Sequence, residues 1–168
     1  MGCHHKESEE AIATGGSSAL EAFRAAHRRG LAQIARLEAA AFSLASGQDI
    51  ELRSTFGFFH EELELHFREE EQALFPALAQ HIGWEGPLRA MMEEHRSFWK
   101  AVDALEEASQ DLIHIQQATN IARHIVWLLR SHIQKEETML LPLAEKLLGP
   151  EALAQVARDM LTLGKGVS

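Results

Sequence analysis

Apolar residues recur at intervals of three and four through most of this chain, the pattern of helices that bury one face. The first run is Leu20, Phe23, His27, Leu31, Ile34, Leu37 and Ala41. Ser17 or Ser18 can cap its start, and it is expected to stop near Gly47. Asp49 can cap a second helix with the stripe Leu52, Phe56, Phe59, Leu63, His66 and Glu70, ending before Gly83. Pro76 is expected to kink its last part, because proline supplies no N–H and crowds the preceding turn. Pro87 suits the first turn of a third helix, with Leu88, Met91, His95, Phe98, Val102 and Leu105 inward. That helix fades into Ser109, Gln110 and Asp111. A fourth carries Ile121, Ile125, Leu128, Leu129, His132, Glu136 and Met139 toward Gly149, with Pro142 near its end. Gly149-Pro150 opens a short fifth helix with Leu153, Val156 and Met160, and Gly164 to Ser168 are expected to fray.

Four long amphipathic helices with short connections predict an all-α, up-down-up-down four-helix bundle over residues 17–148. A short C-terminal helix and tail would occupy 149–168. Residues 1–16 are polar and glycine-bearing and read as a disordered N-terminal tail. The Cys3-His4-His5 trio within it could bind stray metal but has no scaffold to hold it.

Composition narrows the function. A length of 168 residues with 46% hydrophobic content fits one domain with a real core. Sixteen Lys and Arg against 25 Asp and Glu leave a net charge of −9, which argues against a nucleic acid or an anionic membrane as partner. No run reaches the roughly 18 apolar residues of a spanning helix, and the first ten residues hold no apolar signal region, so a cytoplasmic location is expected. Cys3 is the only cysteine, which excludes an internal disulfide and any thiolate-rich metal site. Tyrosine is absent, so neither a tyrosinate ligand nor a tyrosyl radical can form. No Ser-His-Asp arrangement or phosphate loop is evident.

Ten histidines are many for this length, and two of them open a motif that occurs twice. His66 is followed by Glu70 and Pro76, and His132 by Glu136 and Pro142, at the same spacing. Four residues apart on a helix, the imidazole and the carboxylate lie on one face and can share a metal. The lone His27 and His95 sit on the other two helices. In an antiparallel pair, residues are level when the midpoint of their numbers falls in the turn. The midpoint of His27 and His66 falls at Ser46-Gly47, and that of the second-helix pair with His95 lies beside Gly83. The midpoint of His95 and His132 lies at the weak connection from Ser109 to His114. All four helices therefore bring these groups to about one height. The halves also match elsewhere: His27-Arg28 precedes Leu37-Glu38 as His95-Arg96 precedes Leu105-Glu106. Two helix pairs would donate four imidazoles and two carboxylates. The natural arrangement is two metals a few ångströms apart, each taking two histidines, bridged by Glu70 and Glu136.

Neighbouring residues are sorted by helical phase. Glu62, one turn before His66, is a candidate outer acceptor or extra ligand. Glu61, Glu64, Glu69 and Glu71 read as solvated surface acids. His60 and His124 lie off the metal face and read as packing or surface residues, and His81 and His114 fall near turns. Phe23, Leu31, Leu63, Met91, Met92, Phe98, Trp99, Leu128 and Leu129 lie three or four residues from the ligands and read mostly as bundle core; a dry pocket among them favours ligand binding over turnover. Ferritin-like centres use Glu three residues before His. Leu63, Met92 and Leu129 occupy those places here, which disfavours ferroxidase chemistry.

Taken together, His27, His66, Glu70, His95, His132 and Glu136 resemble the pattern of hemerythrin-like cation-binding domains, over about Ala19 to Leu147. The resemblance implies a four-helix bundle with those six residues as ligands of a non-haem di-iron centre that binds dioxygen. Two departures bear on function. Met91 stands where the oxygen carriers place a further histidine, and three residues separate His132 from Glu136 where the carriers have four and end in Asp. The two metals then look more alike, and reversible oxygen carriage gives way to sensing, to peroxide or nitric oxide chemistry, or to repair of iron–sulfur centres. The expected cofactor is two bridged iron ions, although imidazole and carboxylate also suit zinc and manganese. The expected partner is a small diatomic or peroxide, and the chain is read as a metal- and ligand-binding protein rather than a dedicated enzyme. The rivals are a redox or iron-donating protein, and a zinc-bound or metal-free bundle that recruits a protein partner.

Overall fold

The structure, a computed structural model, describes the backbone of residues 3–43, 49–109 and 115–165 and the side chains of 19–41, 54–109 and 116–165. It is all-α, with five helices and no strand among the described residues: α1 (Cys3–Ser43), α2 (49–82), α3 (Pro87–Ser109), α4 (115–147) and α5 (Pro150–Lys165). One expectation about the ends needs correction, and residues 166–168 of the segment expected to fray lie outside the described residues. The segment read as a disordered tail is helical from Cys3 onward. Glu7, Glu9, Glu10, Ala11 and Ala13 are good helix formers with no proline among them, which offsets the cost of Gly15 and Gly16. At the other terminus α5 continues past Gly164 to Lys165. His114 lies outside the described residues, as do the side chains of Cys3, His4 and His5.

α2 and α4 contain wide π turns, at Phe59–Leu63 and Glu70–Leu74 in α2 and at Glu136–Leu140 in α4. In the last two, Phe75 donates its N–H to the Glu70 carbonyl and Leu141 to the Glu136 carbonyl, five residues back. Pro76 and Pro142 come next, in the first turn of the resumed α-helix. A proline cannot close an ordinary turn onto the residue four before it, and the wider turn removes that demand. Each helix therefore passes its proline without a break, and the spacing Glu-x5-Pro is the sequence trace of a π turn beginning at the glutamate.

A π turn inserts one extra residue and moves the inward face by one position. Leu140 is fully buried, whereas Met139, expected on the stripe, is 39% exposed. Leu31 is likewise corrected: it is exposed, and Gly30 faces α4 in its place. A Cβ at Gly30 would lie 3.5 Å from Ile133 and 3.9 Å from Leu129, so the two helices approach closely there.

Two apolar clusters sit on either side of a polar layer. One holds Ile34, Leu37, Phe59, Leu63, Phe67, Phe98, Leu105, Ile125 and Leu129, with Phe59 and Phe98 edge-to-face at 5.2 Å. A buried bond from Gln33 Nε2 to Thr55 Oγ1, 3.1 Å long, ties α1 to α2 at this end. The other holds Leu20, Phe23, Leu74, Phe75, Leu78, Leu88, Met91, Leu140 and Leu141, and is closed by Val156 and Met160 of α5. Along α1 the second cluster precedes His27 and the first follows it, and the order reverses with each successive helix through α4. Gly83 and Gly86, at φ +73° and +74°, make the turn from α2 to α3 in the left-handed region that glycine tolerates. No helix among the described residues is long and apolar enough to cross a membrane.

Candidate metal centre

Between the clusters lie His27, His66, Glu70, His95, His132 and Glu136, each at most 3% exposed. α1 supplies His27, α2 supplies His66 and Glu70, α3 supplies His95, and α4 supplies His132 and Glu136. One oxygen of Glu70 faces His66 Nε2 at 3.0 Å and His27 Nε2 at 3.9 Å. Its other oxygen faces His95 Nε2 at 3.1 Å and His132 Nε2 at 3.9 Å. Glu136 Oε2 lies 2.9 Å from His27 Nε2 and 3.4 Å from His132 Nε2. The Nε2 atoms of His95 and His132 are 3.3 Å apart. The donors fall into two groups, His27-His66-Glu70-Glu136 and Glu70-His95-His132-Glu136, each with all its ligand atoms within 4.8 Å of one another. Both glutamates belong to both groups. Both also open a π turn, so the widened backbone lies directly behind the two shared carboxylates.

The fit to a cation rests on atoms left without hydrogen bonds. His27 Nε2, both ring nitrogens of His66, Glu70 Oε2 and both oxygens of Glu136 are buried without a hydrogen-bond partner among the described residues. Burying such groups unsatisfied is costly, and they are rare in folded proteins unless a ligand meets them. Four of the six, His27 Nε2, His66 Nε2, Glu70 Oε2 and Glu136 Oε2, lie among the shared donors, where one or two cations would satisfy them. With nitrogen and oxygen donors and no sulfur, the set suits iron, manganese or zinc.

Burial lowers the pKa of His27, but the carboxylates of Glu136, Glu70 and Glu137 close beside the ring outweigh it and raise it to about 10. His95 is raised to about 9, where burial is outweighed by Glu70 and Glu71. Burial acts to raise Glu70, yet His66, His27 and His95 hold it well below the usual carboxylate range. Glu70 thus stays charged and ready for a cation.

Behind the imidazoles stand carboxylates that helical phase alone misses. Nδ1–H of His27 donates to Glu137 at 2.6 Å, that of His95 to Glu71 at 2.7 Å and that of His132 to Glu94 at 3.2 Å. Lys135 also bonds Glu94. Glu71, read as a solvated acid, is therefore a buried-side acceptor. Glu62, read as a candidate outer acceptor, instead binds Arg29 at 2.8 Å on the surface. The overlooked signal is adjacency: Glu71 and Glu137 each follow a shared glutamate, and Glu94 precedes His95. His95 is further held by Phe67, stacked at 3.9 Å. Met91, at the place of the carriers' additional histidine, is buried in the second cluster. His60 bonds Glu106 and stacks on Trp99, His124 stacks on Trp127, and His81 is exposed, so none of the three joins the layer.

This polar layer, buried between four helices, belongs to a recognised class: residues 18–144 match the hemerythrin HHE cation-binding domain, and the chain is a member of that family. Among curated relatives, the iron-sulfur cluster repair protein YtfE of Salmonella paratyphi B is 32% identical over 94 residues, covering 51% of this chain and 43% of that protein. The protein of the same name from Salmonella newport matches to the same extent. The matched stretch thus spans less than half the length of these relatives. No solved structure matches the chain.

Proposed function

We propose that this chain is an up-down-up-down four-helix di-iron protein, bundled over residues 17–148 with 149–168 appended, that binds or senses dioxygen, peroxide or nitric oxide. The observation that carries the reading is the pair of donor groups sharing Glu70 and Glu136 within one buried layer. The alternation of the two apolar clusters along successive helices supports the helix order. His27 and His66 would hold one ion, His95 and His132 the other, with Glu70 and Glu136 between them. Iron, when bound, supplies reversible one-electron chemistry toward a small ligand. The protein's own part is to hold the donors fixed and keep water out. Phe23, Phe67, Phe75 and Met91 wall the layer with apolar surface, which limits proton delivery and favours holding a ligand over reducing it. Glu71, Glu94 and Glu137 keep the proton on Nδ1 of their histidines, leaving Nε2 bare for the ion.

A second reading, iron donation to damaged iron–sulfur centres, is favoured by the relatives that carry the repair name. The two separate in one experiment. Protein loaded anaerobically with Fe(II) is exposed to air or nitric oxide, and its visible spectrum is followed before and after the gas is removed. A stoichiometric change that reverses supports the binder. Loss of iron to an acceptor apo-protein, with no reversible spectrum, supports the donor. A colourless protein holding zinc would overturn both.

A further inference from the structure

The carboxylates behind the imidazoles are unevenly distributed, and the consequence drawn here rests on the two-ion reading above. His27, His95 and His132 each have an acidic acceptor at Nδ1, whereas His66 Nδ1 is buried with no hydrogen-bond partner among the described residues. The internal repeat locates the gap. Glu71 follows Glu70 and reaches the lone His95, and Glu137 follows Glu136 and reaches the lone His27, so that pair is symmetric. Glu94, one residue before His95, reaches His132. The matching position, one residue before His27, is Ala26. The ring of Phe23 is a neighbour of His66, with centroids 5.8 Å apart. Glu69, one turn beyond His66, lines a groove of about 360 Å³ between α1 and α5, together with Ala19, Ala22 and Met160.

We propose that the centre is built unequal: the His95/His132 end holds its ion tightly, and the His27/His66 end is the exchangeable one. A carboxylate that accepts from Nδ1–H fixes the tautomer and ring orientation and makes Nε2 a stronger donor. Two imidazoles are supported this way at one end and one at the other. The missing fifth histidine makes the two ions look alike, and the missing fourth acceptor sets them apart. For the iron-donating reading, this difference designates the ion that leaves.

The test is release of iron to ferrozine from anaerobically Fe(II)-loaded protein, after iron per chain has been measured. The expected record has two phases of one iron each, separated about tenfold or more. Glu94→Gln should quicken the slow phase about ten- to a hundredfold and leave the fast one, and Glu137→Gln should quicken the fast phase alone. Ala26→Glu should slow the fast phase, a gain that a folding defect cannot produce. A single phase containing both irons in the wild-type protein, a Glu94→Gln effect on the fast phase, or an unmoved fast phase in Ala26→Glu would overturn the inference. Fewer than two irons loaded at the outset overturns the two-ion reading, and this is known before the chelator is added.

Discussion

Glu70 is the residue on which both halves of the centre depend, since its two oxygens face different histidine pairs. Glu136 offers a single oxygen, Oε2, to His27 and His132. Glu70→Ala should therefore abolish retention of both irons, not of one, as measured by metal analysis after gel filtration. His66→Ala is expected to act locally, lowering iron per chain from two to about one, and retention of both would remove His66 from the ligand set. These residues were legible because chemistry and spacing coincide: two His-x-x-x-Glu pairs and two lone histidines reach one height. Glu71, Glu94 and Glu137 were not, because an acid next to a ligand lies about 100° around the helix and reads as solvent-facing. They reach back across to a different helix, a relation that no single-helix pattern contains.

At the scale of elements, the wide turns at Glu70–Leu74 and Glu136–Leu140 explain both the repeated prolines and the departures from simple periodicity. A 3.6-residue count carried through such a turn is displaced by one, which is why Met139 was assigned inward and Leu140 was the residue buried. Gly30 was hidden for a different reason: a glycine adds no apolar mark to a stripe, yet it is where α1 meets α4. Its backbone is ordinary helix, and a Cβ would make normal van der Waals contact with Ile133. Gly30→Ala should thus stabilise the protein by roughly 0.5–1 kcal/mol through helix propensity. Chemical denaturation gives the sign directly, and a loss of stability would mean that the α1–α4 approach cannot admit a methyl group.

For the whole molecule, one polar layer between two apolar clusters couples metal to folding. The buried donors satisfy one another only in part when no ion is present, so a cation that binds the folded chain and not the unfolded one adds stability by mass action. At a free metal concentration a thousand times the dissociation constant this is about 4 kcal/mol, which for a chain of this size raises the melting temperature by roughly 8–16 °C. Scanning calorimetry of metal-free and Fe(II)-loaded protein should show that rise, and chelation should reverse it. The meeting of the six buried side chains in one layer could be reasoned from spacing. The extension of α1 to Cys3 could not, because helix formers interrupted by two glycines give no decisive local signal. The central claim, that six buried side chains hold two irons, is tested most directly by counting metal. Wild-type protein reconstituted anaerobically with Fe(II) and freed of excess should carry two irons per chain by elemental analysis, and the Glu70→Ala protein none. Wild-type protein carrying none, or a Glu70→Ala protein carrying two, would contradict it.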